Sequence, residues 1–238
     1  AETRPALTML RARSRDLVRN NAYAEAGISF ISRSMIGYGI TASIEGRGKR
    51  STQSLREAWS RWAETTDCDA DGRHNLYGLQ ELTARAVAES GEALIRRRHR
   101  RSDDGLSVPL QLQVLEADFI DNTRDGATSD GSVIVQGVQF DKLGRRMGYW
   151  LYQSHPGEAM IAARGLESKF VPAEDIIHVY RMDRPGQVRG VPWLAPVMLR
   201  LRDFDEYADA QLVRQKIAAC FAYSSREPDM EPLLSMMI

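Results

Sequence analysis

Apolar and polar positions alternate along this chain with two different periods, and the changeover falls near residue 92. Before it the spacing is helical, three or four residues apart. Leu7, Leu10, Ser14 and Leu17 share one face of a first helix, with arginines on the others. Asn20-Asn21 interrupts the run. Ala24, Ile28, Ile31 and Met35 then stripe a second helix from about Ala22, ended by Gly37 and Gly39. Thr41 to Ile44 reads as a short strand, and Gly46-Arg47-Gly48-Lys49-Arg50 as a solvated basic loop. Ser54-Leu55-Arg56-Glu57 has the form of a capping box. The helix it opens carries Leu55, Trp59 and Trp62 and stops in Asp67-Cys68-Asp69-Ala70-Asp71-Gly72. A further helix runs from about Leu79 to Ser90, with Leu79, Leu82, Ala86 and Val87 inward and Gly91 at its end.

From residue 93 the period is two, which predicts strands. Ala93 to His99 is the first, and Leu110, Leu112 and Val114 alternate with Gln111 and Gln113 in the next. Asn122 to Gly131 is a polar loop. Val133 to Phe140 and Arg146 to Gln153 form a pair, joined through Asp141 to Arg145, where Gly144 can take positive φ. Pro156 to Lys169 is a loop, and Ile176 to Arg181 the last strand. After Pro196 the helical period returns and holds to about Ala222. Helices, then a mostly antiparallel β region, then a long helix predict an α+β fold.

With 43% hydrophobic and 27% charged residues, the 238-residue chain has the make-up of a globular protein with a sizeable core. No stretch approaches the roughly 18 apolar residues of a membrane span. Arg4, Arg11, Arg13 and Arg15 have no apolar run behind them, so no signal peptide is expected, and a start at Ala1 reads as a piece of a longer chain. Cys68 and Cys220 are the only cysteines, which argues against a disulfide scaffold and a cysteine zinc site.

Charge removes a further class. Thirty-two basic residues meet thirty-two acidic ones, whereas a domain that grips DNA through phosphates carries a basic excess. Only four of the basic residues are lysines, so 28 are arginines. Forked interface pairing and genomic composition both produce that bias, and the sequence leaves both open.

Candidate chemistry thins out on inspection. A phosphate loop needs Gly-x-x-x-x-Gly-Lys-[Ser/Thr], but Lys49 is followed by Arg50 and Ser43 stands five before Gly48. Asp203, Asp205, Glu206 and Asp209 spread around a helix and read as complements to its N-terminal dipole rather than a two-metal nuclease site. Glu116, Asp118 and Asp121 read as solvated carboxylates at a strand end. His74, His99, His155 and His178 form no metal-ligand spacing, and His178 reads as a hydrogen-bonded sheet residue. Cys220 reads as packing. Arg96-Arg97-Arg98 with Arg100-Arg101 face alternate sides of a strand, as at a solvated edge or a subunit contact. The expectation is a structural or interaction protein: no catalytic residue, no metal, no cofactor.

Six segments, in order, bear a likeness. Leu17 to Ala24, Leu110 to Asp118, Gly148 to Tyr152 with Ser154 to Gly157, Val171 to His178, Arg184 to Trp193 and Arg214 to Phe221 resemble the lambda family of bacteriophage portal proteins. The resemblance covers about residues 10–222. It implies a homo-oligomeric ring, usually of about twelve subunits, at one capsid vertex of the virion, assembled in the host cytoplasm. Double-stranded DNA passes through such a ring during packaging, driven by the terminase large subunit, and again at ejection. Capsid and head-tail connector proteins dock on it. Family members are about twice as long, continuing into a clip, a second stem helix and a crown. By that likeness residues 1–92 are the helical part of a wing, 93–195 its β-rich part and 196–222 a stem helix, with 223–238 the start of a clip or a truncated segment. A metal-dependent nuclease and another tail or baseplate structural protein are the alternatives.

The stem helix can be read residue by residue at 100° each. Val197, Leu201, Phe204, Ala208, Leu212 and Ala219 gather on one face. Leu199, Ala210, Val213, Ile217, Cys220 and Phe221 gather on another, which is clean only in its later half because Asp203 and Glu206 also point there. Two apolar faces suit a helix wedged between neighbours. Of the polar strips between them, one carries Asp205, Asp209 and Lys216. The other, Arg200, Tyr207, Gln211 and Arg214, is the candidate for the channel.

Overall fold

The structure is a computed structural model that describes residues 6–157 and 167–224, with side chains as far as Phe221. Its contacts divide the chain into two compact units, Ala1–Pro196 and Val197–Ile238.

The first unit opens with α1 (Leu7–Asn20) and α2 (Ala22–Ile36). Asn21 separates them as predicted: its backbone is extended, and its Oδ1 accepts the Ala24 amide at 2.9 Å. Two further helices follow, α3 (Lys49–Ala63) and α4 (Leu76–Ser90), before the strands begin. β1 (Glu92–His99) lies between β2 (Leu110–Glu116) and β8 (Ile176–Tyr180) in a three-stranded sheet. A second sheet runs β3 (Gly126–Ala127), β4 (Val133–Val135), β5 (Val138–Phe140), β6 (Arg146–Tyr152) and β7 (Ser168–Pro172) in spatial order. The pairings within both sheets are antiparallel, so the α+β class stands.

The side-chain period of two assigns each face of the smaller sheet to a different core. Leu94, Leu115 and Ile176 join Val138, Tyr149, Leu151 and Val171 of the larger sheet, with Ile120 between. Leu110, Leu112 and Val114 point the other way, onto Trp62, Ala63, Cys68 and Leu79. The three-stranded sheet is therefore a middle layer between helices and the second sheet.

Several expectations are corrected. On α1 the buried face is Leu7, Arg11, Ser14 and Val18, one position round from the predicted one, because Arg11 has a buried partner described below. On α2, Ser32 is buried and Met35 exposed. Thr41 to Ile44 is not a strand. The capping box does not form: α3 already starts at Lys49 after an extended Gly48, so Ser54 lies inside the helix and Leu55 is exposed. The Gly46 amide donates to Thr52 Oγ1 at 2.9 Å, which turns the chain into the helix earlier. α4 starts at Leu76, behind Asn75, whose Oδ1 accepts the Gly78 amide, and buries Thr83, Ala84 and Ala88 while Leu82 is exposed.

Val133 to Phe140 is not one strand but a hairpin. Gln136 (φ 51°) and Gly137 (φ 78°) form its tight turn, and a Cβ on Gly137 would stand 2.5 Å from the Asp121 carbonyl oxygen. The predicted Asp141–Arg145 turn forms, with Gly144 at φ 78° and Asp141 Oδ1 accepting the Leu143 and Arg145 amides. Ser168 and Lys169 belong to β7; residues 158–166 of the predicted loop lie outside the described residues. Arg96 is not at a solvated edge, since β1 pairs with β2 and β8 on either side of it.

In the second unit α5 spans Met198–Ser224, uninterrupted by glycine or proline. Its 27 residues extend about 40 Å. Residues 225–238, most of the predicted clip or truncated segment, lie outside the described residues.

Candidate channel helix and the buried ion network

Along α5, Tyr207, Gln211 and Arg214 follow at four and three residues, and Arg200 stands two turns before Tyr207, so the predicted polar strip falls on one line. The apolar residues flanking it are open in the single chain. Leu199 and Phe221 are each 71% exposed, and Val197, Phe204, Leu212, Val213 and Ile217 are exposed as well. Leu201 is half-buried. Cys220, read as packing, is exposed in the single chain. A soluble surface seldom leaves so many large apolar side chains together unless something covers them.

The acidic residues of α5 do not sit where the dipole reading put them. The helix begins at Met198, its first turn holds no acid, and Asp203 falls in the second turn. Glu206 pairs instead with Arg202 four residues before it, at 3.0 Å. Both are exposed, so the pair adds little.

The charged chemistry of the first unit was missed by sequence reasoning. Glu92, at the first position of β1, is fully buried. Arg11 of α1 binds Oε1, and Arg189 binds the same oxygen at 2.6 Å through Nη2 and 2.7 Å through Nε. The Gly190 amide donates to Oε2 at 2.6 Å, and His178 Nε2 meets that oxygen at 3.0 Å. Burial alone would raise the Glu92 carboxyl. Arg189, Arg11 and the His178 hydrogen bond outweigh it and hold the group well below the usual carboxylate range.

The tautomer of His178 follows from its neighbours. Arg146 Nη1 lies 2.9 Å from Nδ1 and can only donate, so Nδ1 accepts and the proton sits on Nε2, facing Glu92. Burial first, and the nearby arginines with it, lower this imidazole's pKa against the pull of Glu92. His178 is thus the hydrogen-bonded sheet residue that was expected, in a neutral form. Arg189 also donates to the carbonyls of Gln136 and Ala117, tying the β4–β5 hairpin and the residue after β2 to the same point.

Of the carboxylates read as solvated, only Glu116 is exposed. Asp118 pairs with Arg15, which also reaches Glu116 at 3.0 Å. Glu116, Asp118 and His155 bring their ligand atoms within 4.8 Å of one another. Arg15 already supplies the positive charge there, so the grouping reads as an ion-pair cluster. Asp121 is buried and accepts from Ser168 Oγ at 2.6 Å, Tyr152 Oη at 2.8 Å and Thr123 Oγ1 at 2.6 Å. Asp203, Asp205, Glu206 and Asp209 do not converge. The apolar Ala93-Leu94-Ile95 directly after Glu92, at a helix-to-strand junction, was the signal in the sequence that could have pointed to Glu92.

Comparison with known proteins places these features in context. The family described as phage portal protein, lambda family, matches residues 1–235. The chain is 28% identical over 212 residues to a probable portal protein of Halomonas phage phiHAP-1, covering 86% of this chain and 40% of the relative. It is 24% identical over 239 residues to portal protein B of Escherichia phage lambda, covering 92% and 43%. The chain thus spans less than half the length of the curated relatives it matches. Among solved structures it aligns with a chain in the neck of an empty GTA particle, at 14% identity and a TM-score of 0.45, over 92% of this chain and 48% of that one.

Proposed function

The chain belongs to the lambda family of phage portal proteins, and from that premise we propose that it forms part of a homo-oligomeric ring at a capsid vertex of the virion. The ring is a conduit for double-stranded DNA in packaging and ejection. It is of about twelve subunits, assembled in the host cytoplasm, and docks the terminase large subunit, the capsid and head-tail connectors. The chain catalyses no step and needs no metal or cofactor; the terminase supplies the work. In this reading residues 1–195 are wing and α5 is a stem helix.

The observation that carries the proposal is the exposure of apolar residues on two sides of α5. A ring of stem helices covers both sides at once, one against each neighbour, because a head-to-tail contact uses two different patches per subunit. Val197, Leu201, Phe204 and Leu212 pack on one side, and Val213, Ile217 and Phe221 on the other. Arg200, Tyr207, Gln211 and Arg214 face the channel. Net neutrality suits a conduit, since each tightly held phosphate is a barrier to sliding.

Negative-stain images of the full-length protein test this, with a ring and central hole expected. Arg214→Glu should still form rings and change DNA packaging or retention. A full-length protein that remains monomeric at high concentration overturns the proposal.

A further inference from the structure

The arginine run of β1 is an electrostatic anomaly in this chain. Elsewhere Arg11 and Arg189 are matched with Glu92, Arg15 with Asp118 and Arg85 with Glu25, while Arg146 is held by Tyr149, Tyr180 and His178. Arg96, Arg98 and Arg100 are half-buried, and among the described residues none of them forms an ion pair. Asp175, the acid that acts on Arg96, is held by His99 at 3.3 Å. Burial first, and then Arg98, lower the Arg96 guanidinium against the pull of Asp175, which marks like charges crowded together.

These three arginines share a face. β1 runs in register with β2 through His99↔Leu110, and the ladder continues where the Arg100 amide donates to the Pro109 carbonyl at 3.0 Å. Positions 96, 98 and 100 therefore alternate onto one side. Gln111 stands opposite Arg98 on that side, and its Oε1 accepts from Arg100 Nε at 2.8 Å. The run faces alternate sides of the strand as expected, and its alternate members share one. They make a short row of guanidiniums spaced about 7 Å apart.

The same chain holds a segment of matching spacing. Glu227-Pro228-Asp229-Met230-Glu231-Pro232 carries carboxylates at every second residue. Docked as an extended strand, such a segment would present its three carboxylates on one side at the same spacing. We propose that the Arg96, Arg98 and Arg100 face of β1 is the docking surface for the Glu227–Glu231 segment of a second copy of this chain. The proposal rests on the ring reading for the presence of that second copy. Each guanidinium takes one carboxylate through forked hydrogen bonds. A DNA backbone fits the face less well: the row is only about 14 Å long, and its arginines are half-buried, open to a narrow extended peptide more than to a duplex.

Two measurements on the intact chain test this. In sedimentation at low salt, the variant carrying Glu227→Gln, Asp229→Asn and Glu231→Gln should self-associate about tenfold more weakly than the parent, and so should Arg98→Glu with Arg100→Glu. The acidic-side variant leaves the first unit untouched, so misfolding at the arginines cannot mimic the result. Second, in a Cys220→Ser background, an Arg98→Cys chain mixed with an Asp229→Cys chain should form a disulfide-linked pair, because each chain lacks the other's new thiol. An Arg19→Cys chain on exposed α1 is the control. No enrichment over that control, or unchanged self-association in both charge variants, overturns the proposal. Duplex DNA bound by the parent and lost with the arginine variant, at unchanged self-association, reassigns the face to phosphate. Full-length rings that persist in both charge variants remove this contact and leave the ring reading standing; parent protein without rings removes the ring reading itself.

Discussion

Arg189 and Glu92 meet at 2.6 Å with side chains 3% and 0% exposed, joining points 97 residues apart in the chain. Charges so far from water are tolerable only as a satisfied set. Glu92→Ala leaves Arg11 and Arg189 buried without their anion. It should cost about 3–5 kcal/mol, read as a lower urea midpoint of the first-unit transition. An unchanged midpoint would show that water reaches the site.

Acid should weaken the same network in two stages. His178 has a lowered pKa in the folded chain, so below about 6.5 the unfolded chain binds a proton that the folded one refuses. Its contribution is complete above that pH and is lost as pH falls. Glu92, also lowered, contributes above about 4.3 and loses that contribution as pH falls further. Urea midpoints measured from neutral pH downward should decline across both windows, and His178→Gln should flatten only the upper one.

Two glycines should respond with opposite signs. A Cβ on Gly190 would stand 2.0 Å from the Gly91 carbonyl oxygen and 2.8 Å from Glu92 Cβ, so Gly190→Ala should destabilise by about 1–3 kcal/mol or more. Gly27 lies inside α2 with nothing within 4 Å of that position. There Gly27→Ala should stabilise by about 0.5–1 kcal/mol. Thermal unfolding of the pair reads both; equal shifts would contradict the close approach at Gly190.

The cysteines should differ in reactivity. Cys68 is buried, its thiol pushed up to about 11 by burial first and by Asp69 next, while Cys220 is exposed. Alkylation of the isolated chain near neutral pH should modify Cys220 and spare Cys68. If α5 packs in a ring, full-length assemblies should protect Cys220 too; labelling of Cys220 at the same rate in rings would place it away from the contact.

The open apolar faces of α5 predict a separation of effects. Ile217→Asp should leave the unfolding of the first unit within about 0.5 kcal/mol of the parent, because the change is exposed in the single chain. It should abolish rings of the full-length protein in electron micrographs.

Much of this was legible in the residues. Asn21, Gly37, Gly91 and Gly144 marked breaks that the structure keeps, because caps and positive φ are local requirements. The alternation of Leu110, Leu112 and Val114 gave the correct core face. What escaped notice was decided at long range. Arg11 was assigned outward because its buried partner lies 81 residues on. Val133 to Phe140 has a strand's composition apart from Gly137, and the turn that divides it needs positive φ at Gln136 too, an unusual residue for it. Arg96 was read as an edge because β8, which covers it, comes some eighty residues later. The polar strip Arg200, Tyr207, Gln211 and Arg214 was legible as a line on α5, since periodicity needs no partner.

The Glu92 cluster also sets a timetable for folding. Its parts come from positions 11, 92, 178 and 189, so the core centre cannot close until nearly all of the first unit has left the ribosome. Local helices can form as they emerge, but α1 must wait with an unmatched arginine on the face it will bury. Such non-local closure slows folding and leaves early chains prone to association. A fragment ending before Arg189 should remain open however long it is given, and synthesis that stalls there should present unfinished sheets to the chaperones of the cell.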